Sequence, residues 1–167
     1  MNTEVMQTFI GKTLKVDRGG PESRVGKLLA VGEDFFSLLT KEEGVIFYTT
    51  HHIKSITESS KNKFDLEIEV SEDFQIEKYP TFKEAINSLK FQWVKINRGG
   101  KESLEGVLED VNDDYIRVVM NEEIIRISMF HVRNISQGVK SEKKQEESGT
   151  AKENNQKAQN KGKGRKR

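Results

Sequence analysis

The residues best suited to chemistry lie in a short motif, Arg-Gly-Gly-x-Glu-Ser, that occurs twice. The first copy comprises Arg18, Gly19, Gly20, Glu22 and Ser23, and the second comprises Arg98, Gly99, Gly100, Glu102 and Ser103. Backbone N–H groups of a glycine turn beside an arginine can bind an anion or contact a partner. The same residues also suit a tight loop between two strands, with arginine and glutamate interacting locally. We favour the structural interpretation, because the strand–glycine–helix context of a nucleotide-binding loop is missing.

Metal and catalytic chemistry have few candidates. The histidines are His51, His52 and His131, and the chain has no cysteine, which excludes disulfides and thiolate sites. No carboxylate stands at ligand spacing from these histidines. Ser23 and Ser103 recur without a histidine or aspartate at a spacing that suggests an activated nucleophile. We therefore predict a protein that is not an enzyme and holds neither a metal nor a cofactor.

Several aromatic residues have the chemistry to stack nucleic-acid bases. They are Phe47, Tyr48, Phe91, Trp93 and Tyr115. All of them fall within strand patterns, so a place in the core is the simpler prediction.

The charge is divided unevenly along the chain. Residues 140–167 hold ten Lys or Arg and four Glu, a net charge of +6, whereas the whole chain carries only +1, which leaves −5 for residues 1–139. An acidic body repels phosphates, so nucleic acid is not the expected partner. The basic tail suits an anionic partner: nucleic acid, an acidic protein or another copy of the body.

The strongest feature of the sequence is an internal repeat. Residues 15–34 and 95–114 share ten identical residues in twenty positions at an offset of 80, and residues 51–57 match 130–136 at an offset of 79. Such agreement indicates a duplication, so each copy must be one supersecondary unit with the same apolar faces. The doubled glycines predict a turn that needs a positive φ.

Each copy is predicted to hold a short helix and five short strands. Thr81 to Glu84 has capping-box spacing, and Asn2 or Thr3 can cap the first helix. The alternation of apolar and polar residues predicts the strands. The predicted strands are 13–16, 27–31, 35–39, 45–48 and 52–56 in the first copy, and 93–96, 107–111, 115–120, 124–128 and 131–135 in the second.

These elements predict a mainly β protein of two tandem small barrels. Five short strands bury a core most simply by curling, and a helix that comes first favours an Sm-like over an SH3-like barrel. We expect barrels at 1–57 and 83–137, a linker with one strand at 58–82, and a disordered basic tail at 138–167, because from Ser141 onward there is no Leu, Ile, Val or aromatic residue. Units this small are marginal alone, so we expect them to pack on each other.

The residues that carry the repeat resemble a known family. RGGPES followed by GKL, HHIKSI, and WVKINRGG followed by ES are similar to the spore coat protein B family of endospore-forming bacteria, over about residues 5–137. The resemblance implies a structural component of the spore coat, made in the mother-cell cytoplasm and placed in the outer coat layers. It implies no enzymatic activity and no cofactor. It also implies other spore coat proteins as partners, and the charge division adds a second copy of the protein itself.

Two features depart from the family pattern: there are only two repeats, and the tail is rich in Lys, Glu, Asn and Gln instead of Ser, Lys and Arg. Serine-rich tails in the family are targets of coat kinases, which makes Ser141, Ser148 and Thr150 the candidate phosphosites here. The N-terminus shows no secretory signal, and no apolar run approaches the roughly 18–20 residues of a membrane span.

An Sm-like RNA-binding protein is the alternative function. The copies share its Gly-x-Leu spacing before an aspartate, at Gly26 to Asp34 and Gly106 to Asp114. They lack its Arg-Gly step before the last strand.

Overall fold

The computed structural model describes residues 2–59 and 78–138. The first copy contains α1 (Thr3–Gln7), β1 (Thr13–Val16), β2 (Arg24–Val31), β3 (Phe35–Thr40), β4 (Gly44–Thr49), a 3-10 helix (Thr50–His52) and β5 (Ile56–Glu58). The second contains α2 (Phe82–Asn87), β6 (Trp93–Ile96), β7 (Leu104–Val111), β8 (Tyr115–Met120), β9 (Glu123–Ser128), a 3-10 helix (Met129–His131) and β10 (Asn134–Gln137). The short helix and five strands predicted for each copy are confirmed.

Two parts of the prediction lie outside the described residues. These are most of the linker with its predicted strand, in residues 60–77, and nearly all of the basic tail with its phosphosites, in residues 139–167.

The last strand of each copy begins later than predicted. His52 and His131 end the 3-10 helices, and β5 and β10 begin only at Ile56 and Asn134. Because a 3-10 turn carries local hydrogen bonds, it satisfies backbone groups that a strand would have paired with a neighbour.

The ten strands of the described residues belong to one antiparallel sheet, in the order β5-β1-β2-β3-β4-β10-β6-β7-β8-β9. The sheet is not closed, so the expected pair of closed Sm-like or SH3-like barrels is not confirmed. The physical reason lies in the middle of the sheet, where β4 of the first copy pairs with β10 of the second instead of with β5 of its own copy. The two copies therefore join edge to edge.

Side chains at the helix starts explain where the helices begin. Asn2 accepts a hydrogen bond from the backbone N–H of Glu4 at 2.8 Å, and Thr81 accepts one from Glu84 at 3.4 Å. Such caps satisfy N–H groups that have no partner inside the helix. Helices of five and six residues are both too short to cross a lipid bilayer, and none of the described segments forms a longer one.

The second strand of each copy bends at the same place. The pairing of β2 with β3 shifts register between Leu28 and Ala30, and that of β7 with β8 shifts between Leu108 and Asp110. An extra residue in one strand increases its bend and twist. The sheet therefore curls around the core of each copy.

The core is divided into two clusters, one for each copy. The first cluster includes Leu28, Phe36 and Leu38 from the first copy. The second cluster consists of residues of the second copy together with Phe35, which comes from β3 of the first. Strand β3 is thus buried on both faces, because Phe36 faces its own core and Phe35 faces that of its neighbour.

Ile135 of β10 tests how much this junction stabilises the fold. It is fully buried between Phe47 and Ile96, whereas the equivalent Ile56 lies half-buried on the outermost strand. We expect Ile135→Ala to lower the free energy of unfolding by about 3 kcal/mol, through lost burial and a cavity. The matched change Ile56→Ala should cost clearly less. Urea unfolding measures both, and equal losses would contradict burial of Ile135 between the copies.

Candidate protein-interaction site

The two repeated turns share one backbone hydrogen bond, but the glycine with a positive φ is Gly20 in the first turn and Gly99 in the second. They connect β1 to β2 and β6 to β7, and in each the serine N–H donates to the second glycine carbonyl at 3.2 Å, from Ser23 to Gly20 and from Ser103 to Gly100. Each turn is thus a tight loop between two strands. The local pair of arginine and glutamate expected with it does not form among the described residues, because Arg98 pairs with Glu43 and Glu22 pairs with Arg133.

An Asx residue opens each turn. Asp17 and Asn97 have positive φ values of 51° and 52°. Asp17 Oδ1 accepts from the N–H groups of Lys54 at 2.9 Å and Ser55 at 3.2 Å, and Asn97 Oδ1 accepts from the N–H of Arg133 at 2.8 Å. Asp and Asn tolerate the left-handed region better than other side chains. Each therefore ties its turn to the segment before the last strand of its copy.

Arg98, in the second turn, lies at the junction between the copies. Its side chain is only 8% exposed, and Nη1 lies 2.8 Å from Glu43 Oε1 of the first copy. Its Nη2 donates to Ser136 Oγ on β10. Glu43 is also held by Arg24, with 2.8 Å between Oε2 and Nε. One carboxylate thus joins an arginine of each copy.

These two arginines control the ionisation of Glu43. Burial alone would raise the pKa of Glu43, but the hydrogen bond from Arg24 and the charge of Arg98 outweigh burial, so the pKa lies below its ordinary value of 4.5. The same hydrogen bond raises the pKa of Arg24. Glu43 and Arg24 therefore remain charged at neutral pH.

The glycines of the second turn allow the copies to approach closely. A Cβ on Gly99 would overlap the carbonyl oxygen of Pro21 in the first turn, and φ at Gly99 is +81°. Gly100 lies against Arg133, which forms an ion pair with Glu22 of the first turn. The second turn of the chain is therefore packed onto the first.

The first turn presents a different surface. Arg18, Gly19 and Gly20 are exposed, and Arg18 makes no hydrogen bond or ion pair with the described residues. A Cβ on Gly19 or Gly20 would meet no atom within 4 Å. The arginine and the two glycines of the motif are thus more exposed in the first copy than in the second.

An open cleft of about 810 Å³ lies beside the second copy. The turn residues Lys101, Glu102 and Ser103 line one side, and Ile125 and Ile127 of β9 line another. Glu102 and Ser103 are exposed there, unlike Glu22 and Ser23 in the first copy.

The histidines form an aromatic contact between the copies. The His51 ring stacks on Phe130 with 5.7 Å between centroids, and His52 Nε2 lies 2.5 Å from the Phe130 carbonyl oxygen. Burial, and then the neighbouring His52, lower the pKa of His51. Within residues 2–59 and 78–138, no three His, Asp or Glu side chains are grouped closely enough to hold a metal ion.

The candidate stacking aromatics take different positions. Tyr48 stacks on Phe36 at 5.3 Å in the first core, and burial raises its pKa. Phe47 lies 6.1 Å from Phe35 at the junction. Phe91, by contrast, is 77% exposed, so its predicted place in the core is wrong. Its φ of +65° places it in a turn outside β6.

Trp93 and Tyr115 are half-buried in β6 and β8. The guanidinium of Arg126 lies 5.9 Å from the centre of the Tyr115 ring.

Sequence reasoning missed the residues that hold the junction. Glu43, Arg133 and Ser136 stand outside the repeated motif. Glu43 and Ser136 bind Arg98, and Arg133 forms an ion pair with Glu22 of the first copy. Asp17 and Asn97 had a signal, because both are Asx residues directly before the motif.

Comparison with known proteins gives one informative match. Spore coat protein B of Bacillus subtilis (strain 168) is 40% identical over 139 residues, which cover 83% of this chain and 36% of that protein. The chain thus spans about a third of the length of this relative. No family model matches the chain. No solved structure matches it either.

Glu43 provides a test of the charged junction. We expect Glu43→Gln to lower the free energy of unfolding by about 2 kcal/mol at pH 7, because Arg98 then remains buried without its carboxylate. Glu42→Gln, one residue away and exposed, is the matched control and should change little.

The same pair predicts a pH dependence. Because the folded pKa of Glu43 is lowered, its stabilisation is present above about pH 4.5 and is lost as the pH falls through the lower, folded value. Urea unfolding between neutral and acidic pH should show this loss in the parent and in Glu42→Gln, but a smaller one in Glu43→Gln. Parallel curves for all three would contradict the assignment.

The glycines provide a second matched pair. Gly99→Ala should cost about 2 kcal/mol or more, because the new Cβ meets Pro21 and alanine disfavours φ of +81°. Gly19→Ala, at the equivalent open position, should change stability by no more than about 0.5 kcal/mol. Thermal unfolding of both variants and the parent measures the two losses of stability. Equal losses would contradict the packing of the second turn onto the first.

Proposed function

Because the chain belongs to the spore coat protein B family, we propose that it is a structural component of the bacterial spore coat that assembles through contacts with other proteins. The observation that carries the proposal is 40% identity across 83% of the chain to a protein named for the spore coat. The name supports a role in the coat. The partners, the assembly mode and the outer position remain part of the proposal, since the chain spans 36% of that relative.

The geometry of the repeated motif supports a structural role. Across the junction, Arg98 forms an ion pair with Glu43, and Glu22 forms one with Arg133. Gly99 allows the two turns to touch. The residues with the most suitable chemistry thus hold the two copies together. We propose on this basis that the protein acts by shape and contact and is not an enzyme.

RNA binding, the alternative, has less support. An arginine that recognises phosphate must be free to pair with it. Of the two motif arginines only Arg18 is free among the described residues, because Arg98 is buried and already paired with Glu43. The net charge of −5 on residues 1–139 further opposes a polyanion.

The charge division suggests how the tail contributes. A tail of net +6 and a body of net −5 attract each other between molecules, and this attraction weakens as salt screens it. Phosphorylation of Ser141, Ser148 or Thr150 by a coat kinase would add about −1.5 to −2 charges per site and so reduce the attraction. Other coat proteins with acidic surfaces are partners of the same kind.

Localisation during sporulation tests the proposed function. A fluorescent fusion to the full chain is expected in the mother-cell cytoplasm first, and then as a shell around the developing spore. The fluorescent protein alone is the control. Immunogold labelling of sections is expected to place the fusion in the outer coat, and a signal that stays diffuse through sporulation would overturn the coat assignment.

A further inference from the structure

We propose that the two outer strands of the sheet, β5 and β9, bind each other between molecules, so that copies of the chain join head to tail. Within the described residues, β5 has a neighbour only in β1 and β9 only in β8. An outer strand presents unpaired backbone N–H and C=O groups, which bind a further strand readily. The inference deepens the proposed function by naming a second copy as a partner, and it rests on that function only for its biological purpose.

The repeat makes the two outer strands complementary. Strand β9 is the counterpart of β4, and β5 is the counterpart of β10. Since β4 and β10 already pair inside the molecule, the chain contains a formed example of the contact that β9 and β5 would make. One molecule therefore offers the β4-type edge and the next offers the β10-type edge.

The internal pairing predicts the external register. Inside the molecule, Ser136 lies opposite Ile46 and Asn134 lies opposite Tyr48. At the repeat offset of 79, these residues correspond to Thr57, Ile125, Ser55 and Ile127. In the contact between molecules, Thr57 therefore lies opposite Ile125 of the next molecule, and Ser55 lies opposite its Ile127. Ile56 then faces Arg126.

The cleft beside the second copy is where the incoming edge would sit. Lys101 and Glu102, on its wall, are the counterparts of Pro21 and Glu22, which the second copy contacts at the internal junction. Ile125 and Ile127 of β9 line the same cleft. The space that β10 and its turn occupy inside the molecule is thus open at the other end.

The charges at the two ends are complementary. The internal pair between Arg98 and Glu43 corresponds to Arg18 of one molecule and Glu122 of the next, both of which are exposed. The internal ion pair between Arg133 and Glu22 also has a counterpart between molecules.

The repeat-equivalent residues of this second pair are Lys54 of one molecule and Glu102 of the next. The Lys54 side chain is 76% exposed and lies only 3.7 Å from Glu22, a loose contact that leaves it available. Glu102 is exposed at the cleft. Two cations thus stand at the β5 end and two acids at the β9 end.

The open turn and the first helix fit the same arrangement. Gly19 has neither a positive φ nor a close neighbour in the single molecule, whereas its counterpart Gly99 touches Pro21. In α1, Val5 is 49% exposed, whereas its counterpart Ala85 is fully buried. A second copy on this edge would give both residues the surroundings that their counterparts have.

One difference makes the external contact weaker than the internal one. Strand β9 has Arg126 where β4 has Phe47, which packs on Phe35 at the junction. A charged residue on an outer strand limits uncontrolled pairing. We therefore expect a reversible, salt-sensitive association.

The contact uses different surfaces on the two partners, so it leaves a free end after every addition. Such a heterologous contact produces a ring if the rotation closes and a filament if it does not. Either product satisfies the proposal.

Charge reversal tests the contact in the purified full chain. Sedimentation velocity over a wide range of concentration should show that the parent protein self-associates. Arg18→Glu and Glu122→Arg should each raise the dissociation constant by about tenfold or more, because like charges then face each other. Glu33→Arg, an exposed acid on the β2–β3 turn, is the control and should associate like the parent.

Mixing the two variants is the decisive measurement. Arg18→Glu chains and Glu122→Arg chains should associate in an equimolar mixture as the parent does, because every junction again pairs opposite charges. Gly19→Ala should weaken association without loss of stability. Circular dichroism and urea unfolding of each variant confirm that it is folded.

Three results would overturn the proposal. A parent protein that stays monomeric at every concentration would do so, and it would indicate that residues 64–70 of the same chain or another protein cover these edges. Association that both reversals leave intact would indicate contact through the tail. Failure of the mixture to recover association would exclude the predicted pairing. None of these results affects the localisation test, so the two proposals fail separately.

Discussion

The pairing of β4 with β10 is the contact on which the rest of the structure depends. It joins the two copies into one sheet through three residue pairs, and it places Phe35 of the first copy in the core of the second. The same contact brings Arg98 to Glu43 and Gly99 to Pro21. Without it, the second turn would be as exposed as the first.

Identical residues consequently have different physical roles in the two copies. Arg98 is buried and paired, whereas Arg18 is exposed, although both stand in the same motif and follow an Asx residue with positive φ. Strand β3 is buried on both faces, but its counterpart β8 alternates between buried and half-buried positions. Tertiary neighbours, and not local sequence, set the dielectric surroundings and the strain of each residue.

Sequence reasoning reached the content of each copy but not the way the copies join. Apolar alternation and the Thr81 cap predicted the helix and strands, because these are local patterns repeated in the second copy. The pairing of β4 with β10 was not predictable in this way, since it joins residues more than 80 positions apart and β5 has nearly the same local pattern as β10.

The same limit applied to the site. The motif pointed to the correct turns, but which turn would be buried depends on Glu43 and Ser136, which lie outside it. The exposure of Phe91 was not predicted for a related reason. Its sequence neighbours have a strand-like pattern, although Phe91 itself lies in a turn with positive φ.

Because a single chain carries both copies, the seam between them is a tethered contact. Two separate proteins that met through three residue pairs and a few ion pairs would fall apart on dilution, whereas tethered partners face each other at an effective concentration in about the millimolar range. Opening of the seam is therefore unimolecular and can reverse at any protein concentration. Duplication within one gene product thus converts a contact that would be reversible between free subunits into a permanent part of the fold.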